Sequence, residues 1–335
     1  MKLSLEQIKD ITVGAESVKK IDGKIAFFRF NDEELLAYST TAHVTKTYST
    51  AGIQLEFITD AVAIRLAGSL AHGSSRLYYC IEVFADGNLA GDIRNFEYED
   101  MKLPYTGKKL PLDDFDKTIP LGEGEKNVRV VLPWSVAPLF DTIELVGANF
   151  VRANKREKNM LVYGDSITHG YDTLSPSKAY SVAVPFELSA NAINKAIGGE
   201  IFFPTLSKIR SSITPDYITV AYGTNDWAKC TYEEFKANAE EFFTGLSHLY
   251  PTAKIFAITP IWRKEINTVT TKFTFEDIKN TFDKIAQKLE NLTVISGFEF
   301  VPQDENLYAD LRLHPSDEGF EYYKSALLRE IKKYI

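Results

Sequence analysis

From Met160 onward the chain alternates short, almost wholly apolar runs with longer amphipathic stretches, and this rhythm constrains the fold more than any other feature. "MLVYG" (160–164), "YITVAYG" (217–223), "KIFAITP" (254–260) and "TVISG" (293–297) are too short for helices and too uniformly apolar for a sheet with one wet face. Strands of this kind belong to a parallel sheet covered on both sides. The intervening stretches supply the cover. In "FEDIKNTFDKIAQKLENL", Phe275, Ile278, Phe282, Ile285 and Leu289 form one stripe, with Thr274 placed to cap the first turn. In a last helix, predicted from about Ser316, Phe320, Tyr323, Leu327 and Ile331 repeat the pattern. A further strand at "AINKAIGG" makes five, which predicts a flavodoxin-like, doubly wound α/β domain over residues 158–335.

The first half keeps a different rhythm. "KIAFFRF", "GIQLEFI", "AVAIRLAG", "RLYYCIEVFADG" and "KNVRVVLP" are short, rich in aromatic and β-branched residues, and separated by turn signals such as Asp86-Gly87-Asn88. In "RLYYCIEVF", Leu77, Tyr79, Ile81 and Val83 fall on one face. No clear helix interrupts this half. It predicts an all-β sandwich or jelly roll over residues 1–153, opened by a short amphipathic helix in "MKLSLEQIKDITVGAESVKK". The charged stretch "VRANKREKN" (151–159) suits a crossing between the two halves.

Composition narrows the partners. With 44% apolar and 25% charged residues the chain is globular rather than disordered. A formal net charge of −8 argues against nucleic acid, whose phosphates require a basic face. No apolar run approaches the roughly 20 residues that span a bilayer, so no membrane partner is expected. The N-terminus lacks the uninterrupted apolar core of a secretion signal, which predicts a cytoplasmic protein. Cys80 and Cys230 read as free buried thiols. His43, His72, His169 and His248 form no metal-type pair, and neither a metal nor a cofactor is expected; the oligomeric state is not legible.

Ligands of an open α/β sheet bind beyond the carboxyl ends of its strands. Gly164, Asp165, Ser166 and Thr168 follow the first strand of the second half, and Gly198, Gly199 and Glu200 the second. Gly223, Asn225 and Trp227 follow the third, and Trp262 and Arg263 the fourth. Asp310 and His314 precede the last helix. Singly, each has a plain structural reading: Ser166 as a helix cap or turn residue, the glycine pair as a tight turn, Asn225 as a left-handed turn residue, His314 as a surface loop residue. At successive strand ends of one sheet they supply the parts of an acyl-transfer site. A serine hydroxyl needs a neighbouring base to become a nucleophile, and an imidazole with a pKa of about 6.5 can take and return that proton. The oxyanion of the tetrahedral intermediate needs preset donors, each worth roughly 3–4 kcal/mol.

"YGDSIT", "NKAIGGE", "YGTND" and "LHPSDEG", in that order, make residues 158–335 similar to the SGNH (GDSL-type) hydrolases. The resemblance implies Ser166 as nucleophile and His314 as general base and then acid. It also implies an oxyanion hole built from the backbone N–H groups of Ser166 and Gly199 and the side chain of Asn225. Asp165 reads as a residue that shapes the loop. One position departs from the pattern: the family's acid usually stands three residues before the histidine, where this chain has Leu311. Either the loop bulges so that Asp310 reaches the ring, or a backbone carbonyl orients His314 and the pair works as a Ser-His dyad.

A β-sandwich ahead of such a domain resembles the carbohydrate esterases that remove acetyl groups from xylan or mannan. This implies an oligosaccharide or other small-molecule ester as substrate, with Trp227 and Trp262 as stacking platforms and His169 on the rim. The alternatives are a broad short-chain acyl esterase or lysophospholipase, and a catalytically silent carbohydrate-binding protein.

Overall fold

The computed structural model describes residues 1–267 and 272–335. In the second half five strands run parallel: β1 (Lys158–Gly164), β2 (Ala190–Asn194), β3 (Tyr217–Ala221), β4 (Lys254–Ile258) and β5 (Leu292–Ile295). Their order is β2-β1-β3-β4-β5, the flavodoxin-like arrangement, with Leu161 paired to Ile193 on one side and to Ile218 on the other. The helices are α1 (Ser166–His169), α2 (Tyr180–Glu187), α3 (Thr224–Lys229), α4 (Tyr232–Leu249), α5 (Phe275–Ala286) and α6 (Asp317–Ile331).

The uniformly apolar strands are buried on both faces, as their composition predicts. Leu161, Tyr163, Val220 and Ile255 pack against Phe235, Phe242, Ile278 and Phe282 of α4 and α5. On the opposite face Phe256, Ile258 and Ile295 pack against Val184, Tyr323 and Leu327 of α2 and α6. Thr274 caps α5 by accepting from the N–H of Asp277, and Ser316 caps α6. Leu289 falls beyond the end of α5 but still packs on the same core.

The first half forms two antiparallel sheets. One runs Thr12–Val13, Gln54–Thr59, Lys126–Val131, Cys80–Ala85, Asn88–Arg94, with Val151–Ala153 also paired to Gln54–Thr59. The other runs Ser17–Ile21, Lys24–Phe28, Val136–Val146, Ala63–His72, Phe115–Pro120. Leu55, Phe57, Ile81, Val83 and Val130 of the first share one core with Ile64, Leu66, Phe140 and Ile143 of the second, which makes a β-sandwich. The opening helix, Leu5–Ile11, is capped by Ser4 and buries Ile8 and Ile11.

One local expectation needs correction. A helix, Asp32–Tyr38, interrupts the first half, and its reciprocal Asn31/Glu34 capping box was visible in "NDEE". In "RLYYCIEVF" the face opposite Tyr79, Ile81 and Val83 is covered too: Cys80 is buried, as expected, and so is Glu82. That face lies against the α/β half, where a carboxylate oxygen of Glu82 accepts from the N–H of Ser177 at 2.8 Å.

Buried polar groups tie the halves together. Arg29 donates to the carbonyls of Ser49, Asn194 and Ala196 at 2.8, 2.6 and 3.0 Å, fixing the chain just past β2. Lys195 is paired with Glu16 and Glu34 at 2.6 and 2.5 Å. Both cysteines are free and buried. Among the described residues no helix is long and apolar enough to cross a membrane.

Candidate active site

β1 ends at Gly164, and the chain turns at once into α1. Asp165 caps that helix, its Oδ1 accepting from the N–H of Ile167 at 3.0 Å, and burial pushes its carboxyl up to about 7. It therefore shapes the loop, and Ser166 becomes the first residue of α1, where a backbone N–H has no partner within the helix. The Oγ of Ser166 lies 2.9 Å from Nε2 of His314, which stands on the loop before α6. Residues from the two ends of one sheet domain thus meet.

The loop before His314 does bulge. Leu311 adopts φ +56°, and Oδ1 of Asp310 accepts from the N–H groups of Arg312, Leu313 and His314 at 3.0, 2.7 and 3.1 Å. That turn leaves Oδ2 of Asp310 free to lie 2.9 Å from Nδ1 of His314.

A second carboxylate, absent from the sequence reading, faces the same nitrogen. Oδ2 of Asp172 lies 3.0 Å from Nδ1 of His314, and the Asp172 side chain is fully buried. It is braced by the β-sandwich half. Arg76 donates from Nε at 2.7 Å and from its terminal nitrogen at 3.1 Å, and the Tyr78 hydroxyl donates to Oδ1. Tyr105 donates to the Asp172 carbonyl at 2.8 Å and Trp134 to the Thr173 carbonyl at 2.9 Å. Burial alone would raise the Asp172 carboxyl, but His314 and Arg76 outweigh it and bring it down to about 2. In turn burial would lower His314, yet Asp172 and Asp310 raise it to about 9. Asp172, Asp310 and His314 also offer ligand atoms within 4.8 Å of one another, the set among the described residues that could hold a cation; the hydrogen bonds at Nδ1 use these same atoms.

Gly198, Gly199 and Asn225 line the neighbouring strand ends. A Cβ on Gly198 would stand 2.4 Å from the Tyr171 ring, so only glycine fits, and Gly199 turns with φ +83°. The Tyr171 ring in turn lies tilted on the imidazole of His314, with centroids 5.8 Å apart. One N–H of the Asn225 amide goes to the Glu200 carbonyl at 3.0 Å, which leaves its second N–H to serve a ligand.

The three expected substrate-contacting residues are placed elsewhere. His169 is not on the rim but buried: its Nδ1 accepts from the N–H of Gly198 at 3.2 Å, and its Nε2 lies 3.0 Å from the Trp134 carbonyl and 2.8 Å from Ser49 Oγ. Burial holds it well below the usual histidine range, so it is neutral and braces the glycine loop. Trp227 is buried, edge-on to Phe275, with the Arg263 guanidinium 4.8 Å from its ring centroid. Trp262 is buried against Tyr308. Neither indole presents an open face to a sugar.

Residues 162–322, which carry Ser166, Asn225 and His314, match the GDSL-like lipase/acylhydrolase family. The match lies within the α/β domain and covers just under half of the chain; it supports a carboxylic ester hydrolase of the GDSL-like kind, with a β domain ahead of the α/β domain. No curated protein matches the chain. Among solved structures, a salicylyl-acyltransferase from a tetracycline biosynthetic pathway is similar over 96% of this chain and 94% of its own, with TM-score 0.79 and 20% identity. A putative GDSL-like lipase from Bacteroides ovatus aligns over 99% and 97% of the two chains, with TM-score 0.74 and 19% identity. An acetyl xylan esterase from Butyrivibrio proteoclasticus aligns over 99% and 98%, with TM-score 0.65 and 14% identity. At these identities the likeness concerns the two-part fold.

Proposed function

We propose that this chain is a serine esterase that removes short acyl groups, acetyl foremost, from carbohydrate hydroxyls through an acyl-enzyme. The observation that carries the reading is the 2.9 Å contact between Ser166 Oγ and His314 Nε2, with Nδ1 of the same ring held by carboxylates. Ser166 attacks the ester carbonyl as neutral His314 takes its proton. The N–H groups of Ser166 and Gly199 and the free N–H of Asn225 receive the oxyanion. The imidazolium then hands its proton to the departing alcohol, and water repeats the cycle on the acyl-enzyme. Asp310 and Asp172 fix the Nδ1–H tautomer and steady the transient positive charge.

The carbohydrate part of the reading is supported by the shared two-part fold with an acetyl xylan esterase. Burial of Trp227 and Trp262 removes the stacking platforms that would have strengthened it, and this favours a broad short-chain acyl esterase as second reading. The deciding experiment measures acetate release from acetylated xylo- and manno-oligosaccharides beside simple acetyl, butyryl and longer esters. Preference for the sugar acetates supports the first reading, equal rates on small acetyl esters the second, and preference for long chains defeats both. Ser166→Ala should abolish nearly all turnover with the fold intact; unchanged turnover removes Ser166 from the chemistry.

A further inference from the structure

On the side of Gly199 where a Cβ would stand, the walls are basic. The Nζ of Lys46 lies 3.6 Å from that position, the Nζ of Lys229 4.0 Å and Cε1 of His43 4.0 Å. Lys46 comes from the 3-10 turn Val44–Tyr48 of the sandwich half and Lys229 from the end of α3, so each half supplies one cation. Each ammonium donates to the glycine loop, Lys46 to the Gly198 carbonyl and Lys229 to the Gly199 carbonyl at 2.5 Å. An ammonium has three donors, so two on each remain.

No salt bridge among the described residues engages either ammonium, in contrast to Lys195 with its two glutamates, although the buried Asp226 carboxyl lies near enough to feel the charge of Lys229. The carboxyl behind them, Glu200, accepts from Tyr38 and Tyr222 at 2.6 and 2.9 Å, and burial pushes it up to about 8, which leaves it mostly uncharged at pH 7. Nδ1 of His43 is buried without a partner. Two like charges side by side are unfavourable until an anion joins them. The place adjoins the backbone of Gly199, whose N–H is one of the donors assigned above to the oxyanion, and the neighbouring Gly198 packs on Tyr171, which lies on His314.

We propose that Lys46, Lys229 and His43 form a subsite for a negatively charged group on the ester substrate, a carboxylate or phosphate borne by its acyl or its alcohol part. The subsite deepens the esterase reading and rests on it. The test compares kcat/KM within size-matched pairs that differ in charge: nitrophenyl hemisuccinate against nitrophenyl valerate for the acyl side, and O-acetylated glucuronic acid and O-acetylated sugar phosphate against their uncharged counterparts for the alcohol side. One anionic member is expected to be preferred by about tenfold at low salt, with the preference shrinking as salt rises. The arm that shows it identifies which part of the substrate carries the charge. Lys46→Gln and Lys229→Gln should each cut that ratio several-fold, and Lys46→Arg and Lys229→Arg should keep it. Because the readout is a ratio, any disturbance of the glycine loop cancels. Ser166-dependent hydrolysis with no anionic preference in any arm, or a preference indifferent to the Gln variants, overturns the subsite and leaves the esterase standing. Absence of turnover on every ester overturns the esterase reading, and the subsite with it.

Discussion

The buried carboxylate of Asp172 stands 3.0 Å from Nδ1 of His314, while Asp310 stands 2.9 Å from the same nitrogen. Two carboxylates on one imidazole hold its proton more tightly than one, which is why His314 is raised to about 9. The proposed mechanism needs the neutral ring, so kcat/KM should climb as pH rises from 7 and level off only near 9. Asp172→Asn removes one negative neighbour, and the limb should move down toward the ordinary value of about 6.5. The plateau should fall as well, by about ten- to hundredfold, because Asp310 still steadies the imidazolium; the same change to a sole triad acid costs roughly 10⁴. Asp310→Asn should behave alike, and the double variant should approach the larger loss. An unchanged pH limb in Asp172→Asn would remove Asp172 from the relay.

Arg76 reaches across from the sandwich half to neutralise Asp172. Arg76→Met leaves a buried carboxylate with His314 and Tyr78 alone. Breaking a buried pair from one side costs about 3–5 kcal/mol, and the partial exposure of Arg76 places the loss near the lower end. Adding Asp172→Asn to Arg76→Met should recover part of that stability, since the amide needs no counter-charge. Urea unfolding of the two singles and the double gives the coupling directly; strictly additive losses would mean that the pair carries no shared energy.

The sheet, its helices and four of the candidate site positions could be read from local pattern. β1 to β5 announce themselves as apolar runs, and Ser166, Gly199, Asn225 and His314 stand where strand ends put them. Asp310 was visible as the nearest carboxylate, but the bulge that delivers it depends on a positive φ at Leu311, a residue type that gives no turn signal. Asp172 could not be found this way. It lies in the loop after α1, and its partners Arg76 and Tyr78 are 96 and 94 residues away in the chain. His169 and the two tryptophans misled for a shared reason: strand-end position predicts nearness to the site but not whether a second layer covers the side chain.

His169 acts on the site through the glycine loop. Its Nδ1 accepts the Gly198 N–H, and its ring is buried. His169→Phe strands that N–H, which should cost about 1–3 kcal/mol of stability and lower kcat by misplacing Gly199. The pH limb should stay where it is, because His169 is already neutral. A change confined to KM, with stability and kcat untouched, would instead return His169 to the substrate rim.

Trp227 is buried within α3, two residues after Asn225. Its ring is enclosed by Phe275 and by the Arg263 guanidinium, so truncation opens a cavity in the core instead of removing a platform. Trp227→Ala should lose about 3–5 kcal/mol of stability, read as a lower midpoint in urea with the slope unchanged. The gentler Trp227→Phe keeps most of the packing and permits kinetics on folded protein. In that variant kcat/KM for an acetylated xylo-oligosaccharide and for a simple acetyl ester should fall by the same factor, because only the seat of Asn225 is disturbed. A loss confined to the oligosaccharide would show a ring in contact with sugar, and the buried placement would then have to open when substrate binds.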